Sequence, residues 1–183
     1  MGFRVMRQYH HILVDQADAA TFTEGEEVTF LRWGNFFIDK MEKDAAGLVT
    51  AMTGRHHPEA TNFSKTKKAT WIADVPDLVE CTLVEYGHLI SKAKLDENDN
   101  FQDFVNPHTK SESTAWCDPL LRTVQQGQVI QLERKGFFRC DKPYAAGSSA
   151  PNAAAVVLIA IPDGKQIKGA AGPAPQPKKG GKK

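Results

Sequence analysis

The amino-acid sequence predicts an all-β fold, and three observations carry that prediction. Short stretches rich in β-branched and aromatic residues are punctuated by Gly and Asn, as in EVTFLRWGNFFI (27–38) and VIQLERKGFF (129–138), which is the pattern of a sandwich or barrel. No long stretch carries apolar residues at a helical period. The most apolar segment, Val156–Ile161, is short and β-branched, as a buried strand near the end of a fold should be.

The elements follow in order. Ile12–Val14 is a first short strand, and acids near the start of residues 17–22 favour a helix of a turn or two. A meander comes next. Strands 27–32 and 36–41 flank a turn at Trp33-Gly34-Asn35, and a second turn at 44–47 leads into strand 48–52. Residues 69–73 form another strand. Val79–Tyr86 alternates, with Val79, Cys81 and Leu83 on one face and Glu80 and Thr82 on the other. Strand 129–134 turns through Lys135-Gly136 into strand 137–140, a second hairpin, and short helices are expected at 101–105 and 119–124. The fold occupies residues 10–164. Residues 1–9 read as the trailing piece of an upstream segment, and the Lys-, Pro- and Gly-rich stretch 165–183 reads as a flexible linker or tail.

Composition bounds the function. The 183 residues are 41% hydrophobic and 25% charged, ordinary for a soluble globular protein. The longest apolar run falls well short of the roughly 20 residues that cross a bilayer, and no secretory signal precedes the body. A cytoplasmic protein without a membrane partner is expected. Cys81, Cys117 and Cys140 are widely spaced with no Cys-x-x-Cys pair, so neither a disulfide framework nor a zinc site is signalled. The paired histidines, His10-His11 and His56-His57, lack the helical spacing of a metal site, and no metal is expected. The net charge of +1 conceals an asymmetry. Six of the 23 basic residues lie within 165–183 with no acid, so the remainder carries 17 bases against 22 acids, or about −5. Any nucleic-acid contact in the body must therefore come from local basic patches.

Four separate blocks then match one family in one order: ADAATFTEGEEVTFLRWGNFFI (17–38), FSKTKKATWIAD (63–74), EYGHLISKAKL (85–95) and GQVIQLERKGFFRCDKPY (127–144). Together they resemble the C-terminal anticodon-binding region of eukaryotic-type glutamyl-tRNA synthetases and their glutaminyl counterparts. The WGN turn (33–35), KTKKATW (65–71) and VLIAIPDG (157–164) lean towards the glutamyl side, including the glutamyl half of bifunctional glutamyl-prolyl enzymes. The resemblance implies two small interleaved β-barrels of the anticodon-binding type. Their boundary is expected near residues 75–90, with room for terminal strands to return to the first barrel. It also implies a glutamate-accepting tRNA as partner and a parent enzyme that uses ATP and Mg. For these residues themselves it implies no cofactor and no catalytic residue, because HIGH-like and KMSKS-like motifs are absent from the sequence.

Unpaired RNA bases are read by stacking on aromatic or guanidinium planes and by hydrogen bonds to their edges, while Lys and Arg hold the backbone. Three places offer that chemistry. Lys65, Thr66, Lys67 and Lys68 lead to Trp71, and in strand geometry Lys65 and Lys67 share a face with Ala69. Gln131 and Arg134 line up with family residues that contact anticodon bases, although strict alternation would place residues three apart on opposite faces. A bulge, or the start of the Lys135-Gly136 turn, must then redirect Arg134. Arg32 and Asn35 flank Trp33-Gly34. A competing reading makes the molecule a protein-interaction scaffold among other synthetases, and a second assigns it to the glutaminyl branch.

Overall fold

The computed structural model describes residues 5–92, 94–146 and 155–162. The first strand β1 (Ile12–Val14) leads into a one-turn helix α1 (Gln16–Ala19). Asp15 caps that helix by accepting a hydrogen bond from the Ala17 N–H at 3.1 Å, which satisfies one of the amides a helix start leaves unpaired. Strands β2 (Glu27–Phe30), β3 (Gly34–Lys43), β4 (Val49–His57), β5 (Lys67–Ala69), β6 (Trp71–Ala73) and β7 (Val79–Tyr86) follow. Beyond them lie β8 (Lys110–Cys117), β9 (Val129–Leu132), β10 (Gly136–Lys142) and β11 (Val156–Ile161), with 3₁₀ turns at Phe101–Phe104 and Pro119–Thr123.

The chain divides into two compact units, Met1–Val79 with Cys117–Leu120, and Glu80–Trp116 with Leu121–Lys183. In the first, a four-stranded sheet runs β4-β3-β2-β5 and a two-stranded sheet pairs β1 with β6. Its core gathers Phe22, Val28, Phe30, Ile38 and Ala69, with Trp33, Phe36, Met52 and Trp71 packed at the margin. Burying each large side chain contributes on the order of 1.5–3 kcal/mol. The second unit is a five-stranded sheet, β8-β7-β11-β10-β9, in which β11 runs parallel to β7. Cys81, Leu83, Phe138, Cys140, Val156 and Leu158 are buried in it.

The all-β class is as expected. The resemblance also implied barrels, and among the described residues none of the three hydrogen-bonded strand orders closes on itself. Three local departures have physical reasons. The first hairpin turn lies at residues 31–33 rather than 33–35, because β3 begins at Gly34, which pairs with Phe30. Residues 69–73 divide at Thr70 into β5 and β6, which join different sheets. Strand β8, KSESTAWC, was not foreseen: its residues are mostly exposed on both faces, so no apolar alternation marks it.

The two units contain the same turn-and-hairpin device, displaced by 102 positions, as Gly25 and Gly127 illustrate. The Thr23 amide donates to the Glu26 carboxylate at 3.0 Å, and the Gln125 amide donates to the Gln128 side-chain oxygen at 2.8 Å. Gly25, at φ 80°, donates to the Ile38 carbonyl at 2.7 Å; Gly127, at φ 83°, donates to that of Cys140 at 2.7 Å. Trp33 closes one hairpin turn onto Phe30 and Lys135 closes the other onto Leu132, both at 3.0 Å. An arginine with positive φ occupies the same turn position in each, Arg32 at 65° and Arg134 at 64°.

Candidate nucleic-acid interface

Strand β9 ends at Leu132, and residues 133–135 form the turn that returns the chain as β10. Arg134 sits in that turn with a left-handed backbone, a conformation that costs an L-residue roughly 1–2 kcal/mol. Strand alternation has stopped by then, so the three-residue offset from Gln131 no longer forces the two side chains onto opposite faces. A turn, and not a bulge, takes Arg134 out of strand geometry. Gln131 is exposed on β9, and its amide makes no hydrogen bond among the described residues. Its cross-strand partner on β10 is Phe137, whose other neighbour in register is Ile161 of β11.

In the first unit the equivalent row is closed. Thr29 pairs with Asn35 in register, and both are buried. Asn35 accepts from the Thr29 hydroxyl at 2.6 Å and donates to Glu27 Oε1 at 3.0 Å and to the Asn62 carbonyl at 3.2 Å. The expectation that Asn35 serves as a surface reader is therefore corrected: with no exposed area and every side-chain hydrogen bond turned inward, it ties β2 to β3 and to the 58–66 loop. His57 extends the network through Nδ1 to Glu27 Oε1 at 2.6 Å. That hydrogen bond, with the one from Asn35 second, holds the Glu27 carboxyl below its ordinary range. Arg32, in contrast, is exposed.

The lysine run does not act as a unit. Lys67 is committed to an ion pair with Glu26 at 2.8 Å and to the Thr21 carbonyl, while the half-buried Lys68 folds back onto the carbonyl and hydroxyl of Thr66. Thr66 is itself bonded to Thr29. Lys65 is exposed and has no ion pair or hydrogen bond among the described residues. Trp71, expected as an aromatic neighbour for RNA, donates its indole N–H to the Leu31 carbonyl at 2.9 Å and packs 4.5 Å from Trp33, so it belongs to the core margin. The sequence reading overlooked Phe137 and the repeat. The Gly-to-Gly spacing shared by Gly25/Gly34 and Gly127/Gly136 was the available signal for the latter.

Among the described residues no group of three or more His, Cys, Asp or Glu is placed to hold a metal ion, and no helix is long and apolar enough to cross a membrane. Burial foremost pushes the Cys140 thiol up.

Two family models match, both described as the anticodon-binding domain of class I tRNA synthetases (E and Q), one over residues 1–57 and the other over residues 68–141. The chain belongs to this anticodon-binding family. Arg32 and Asn35 fall in the first match and Lys68, Trp71, Gln131 and Arg134 in the second, while Lys65, Thr66 and Lys67 lie between them. Similar curated proteins include the cytoplasmic glutamate–tRNA ligase of Arabidopsis thaliana, 44% identical over 86% of this chain and 21% of that protein. The cytoplasmic glutamate–tRNA ligase of Saccharomyces cerevisiae is 36% identical over 91% of the chain and 22% of its own length. The bifunctional glutamate/proline–tRNA ligase of Cricetulus griseus is 40% identical over 84% of the chain and 10% of its own length. The chain thus spans about a fifth, or in the bifunctional case a tenth, of the relatives it matches.

Proposed function

We propose that this anticodon-binding region recognises the anticodon loop of a glutamate-accepting tRNA through the β9–β10 hairpin of its second unit. The observation that carries the reading is the exposed, unengaged amide of Gln131 beside a turn that holds Arg134 outside strand geometry. An amide donates and accepts at one base edge, and a guanidinium engages two acceptors or stacks. Arg32 occupies the matching turn of the first unit and Lys65 offers a point charge to a phosphate, which makes them the accompanying contacts. Lys67, Lys68, Trp71 and Asn35 support the scaffold from within.

Recognition here would serve glutamate–tRNA ligation carried out elsewhere in a parent protein, with ATP and Mg bound there and not by these residues. The chemistry left to this region is binding and discrimination. The names of the relatives support a cytoplasmic setting and a parent that is either glutamyl-only or bifunctional. Filter binding tests the reading by comparing a glutamate tRNA with a tRNA of unrelated anticodon. Gln131→Ala and Arg134→Ala should each weaken the cognate complex by about 1–3 kcal/mol, roughly 5- to 150-fold, while Lys67→Ala leaves it nearly unchanged. Equal, weak binding of both tRNAs by the unaltered protein would falsify it and favour the scaffold reading.

A further inference from the structure

Phe137 is a large aromatic side chain left 50% exposed in the middle of a sheet face. It pairs in register with Gln131 on one side and with Ile161 on the other, so the three share the outward face of β9, β10 and β11, and the next row of that face carries Val129, Arg139 and Ile159. Directly paired residues hold their Cβ atoms about 4.5–5.5 Å apart, so Phe137 and Gln131 leave the sheet as neighbours. The fold does not require this row to be open. At the equivalent positions of the first unit, Thr29 and Asn35 are buried under Thr66 and the Asn62 carbonyl. The second unit has an aromatic and an uncommitted amide where the first has a closed polar network.

We infer that Phe137 is the stacking platform for an unpaired anticodon-loop base whose edge Gln131 reads, an inference that rests on the anticodon reading above. A base needs an apolar plane for its face, a donor–acceptor group at its edge and cations for its flanking phosphates. Phe137, Gln131 and the pair Arg134 and Arg139 supply these in turn. A ring flanked by an amide and guanidinium groups suits a nucleobase joined to phosphates better than an apolar protein segment, for which the two arginines would be a poor surround.

The test is a binding cycle with the whole chain and a labelled anticodon-arm hairpin of a glutamate tRNA, intact or with one loop nucleotide made abasic. Phe137→Leu keeps apolar bulk but removes the π-face, and it should weaken binding of the intact hairpin about tenfold, whereas Phe137→Trp should bind as tightly as the unaltered protein or tighter. At one loop position the abasic hairpin should bind the unaltered protein and Phe137→Leu alike, because the stacked base is gone. If the unaltered protein selects the glutamate hairpin but Phe137→Leu binds it equally well, stacking is wrong and the anticodon reading stands. If the unaltered protein does not distinguish the glutamate hairpin from an unrelated one, both fall.

Discussion

Two arginines occupy left-handed backbone positions that glycine would fill with less strain, Arg32 and Arg134. Keeping a strained residue at a site usually reflects a side chain needed there. Arg134→Gly should therefore separate stability from binding: the unfolding free energy from urea titration should change by no more than about 1 kcal/mol, since relief of left-handed strain offsets the added freedom of the unfolded chain, while affinity for the glutamate hairpin drops. Asn35 should behave in the opposite way. Asn35→Leu removes the partner of Thr29, Glu27 and the Asn62 carbonyl at a site with no exposure, and denaturation should register a loss of about 2–4 kcal/mol. Glu27 gives that network a pH dependence. Its carboxyl is held below its unfolded value chiefly by His57, so its contribution is fully present above the unfolded pKa of about 4.3 and is lost as pH falls through the lower folded value. Thermal melts of the protein and of Glu27→Gln should thus differ at pH 7 and converge under acid.

At the scale of the element, the β3–β4 hairpin depends on a close backbone approach. Gly54 pairs with Ile38 next to a register shift, and a Cβ at Gly54 would meet the Phe37 carbonyl at 2.5 Å. Backbone cannot yield as the end of a flexible side chain does, so Gly54→Ala should cost about 2 kcal/mol or more and lower the melting temperature. The repeated turn shows how sequence writes an element. Positive-φ Gly25 and Gly127 start the two hairpins, and Glu26 or Gln128 folds back onto the chain three residues earlier. Much of this was legible: the hairpins, the short strand at Val156–Ile161 and the turn glycines follow from alternation and turn chemistry. Strand β8 was not, because an edge strand exposed on both faces buries too little to leave an apolar period.

Over the whole molecule, charge is divided between an acidic body and a lysine-rich segment at 165–183, which lies outside the described residues. Phosphate-driven binding by six lysines is nonspecific and steeply salt-dependent. Removing 165–183 should flatten the salt dependence of affinity for unrelated RNA and leave the preference for the glutamate hairpin intact, as titrations at several salt concentrations will show. On the proposed reading the preference would come from the β9–β10 hairpin, and the lysines of 165–183 would add attraction without discrimination.

The sequence by itself determined the all-β class, the presence of the hairpins and the family, because local alternation, turn residues and ordered blocks are properties of neighbouring positions. The resemblance to the family, and not local chemistry, singled out Gln131 and Arg134. Tertiary structure alone decided which polar groups are available. Asn35 and Gln131 carry the same functional group on similar hairpins, yet the 58–66 loop closes over the first while the second is left exposed. Likewise Lys65, Lys67 and Lys68 are identical in chemistry, and only packing against Glu26, Thr21 and Thr66 separates the spent cations from the one that remains. Burial and pairing depend on residues distant in the chain, and no local pattern encodes them.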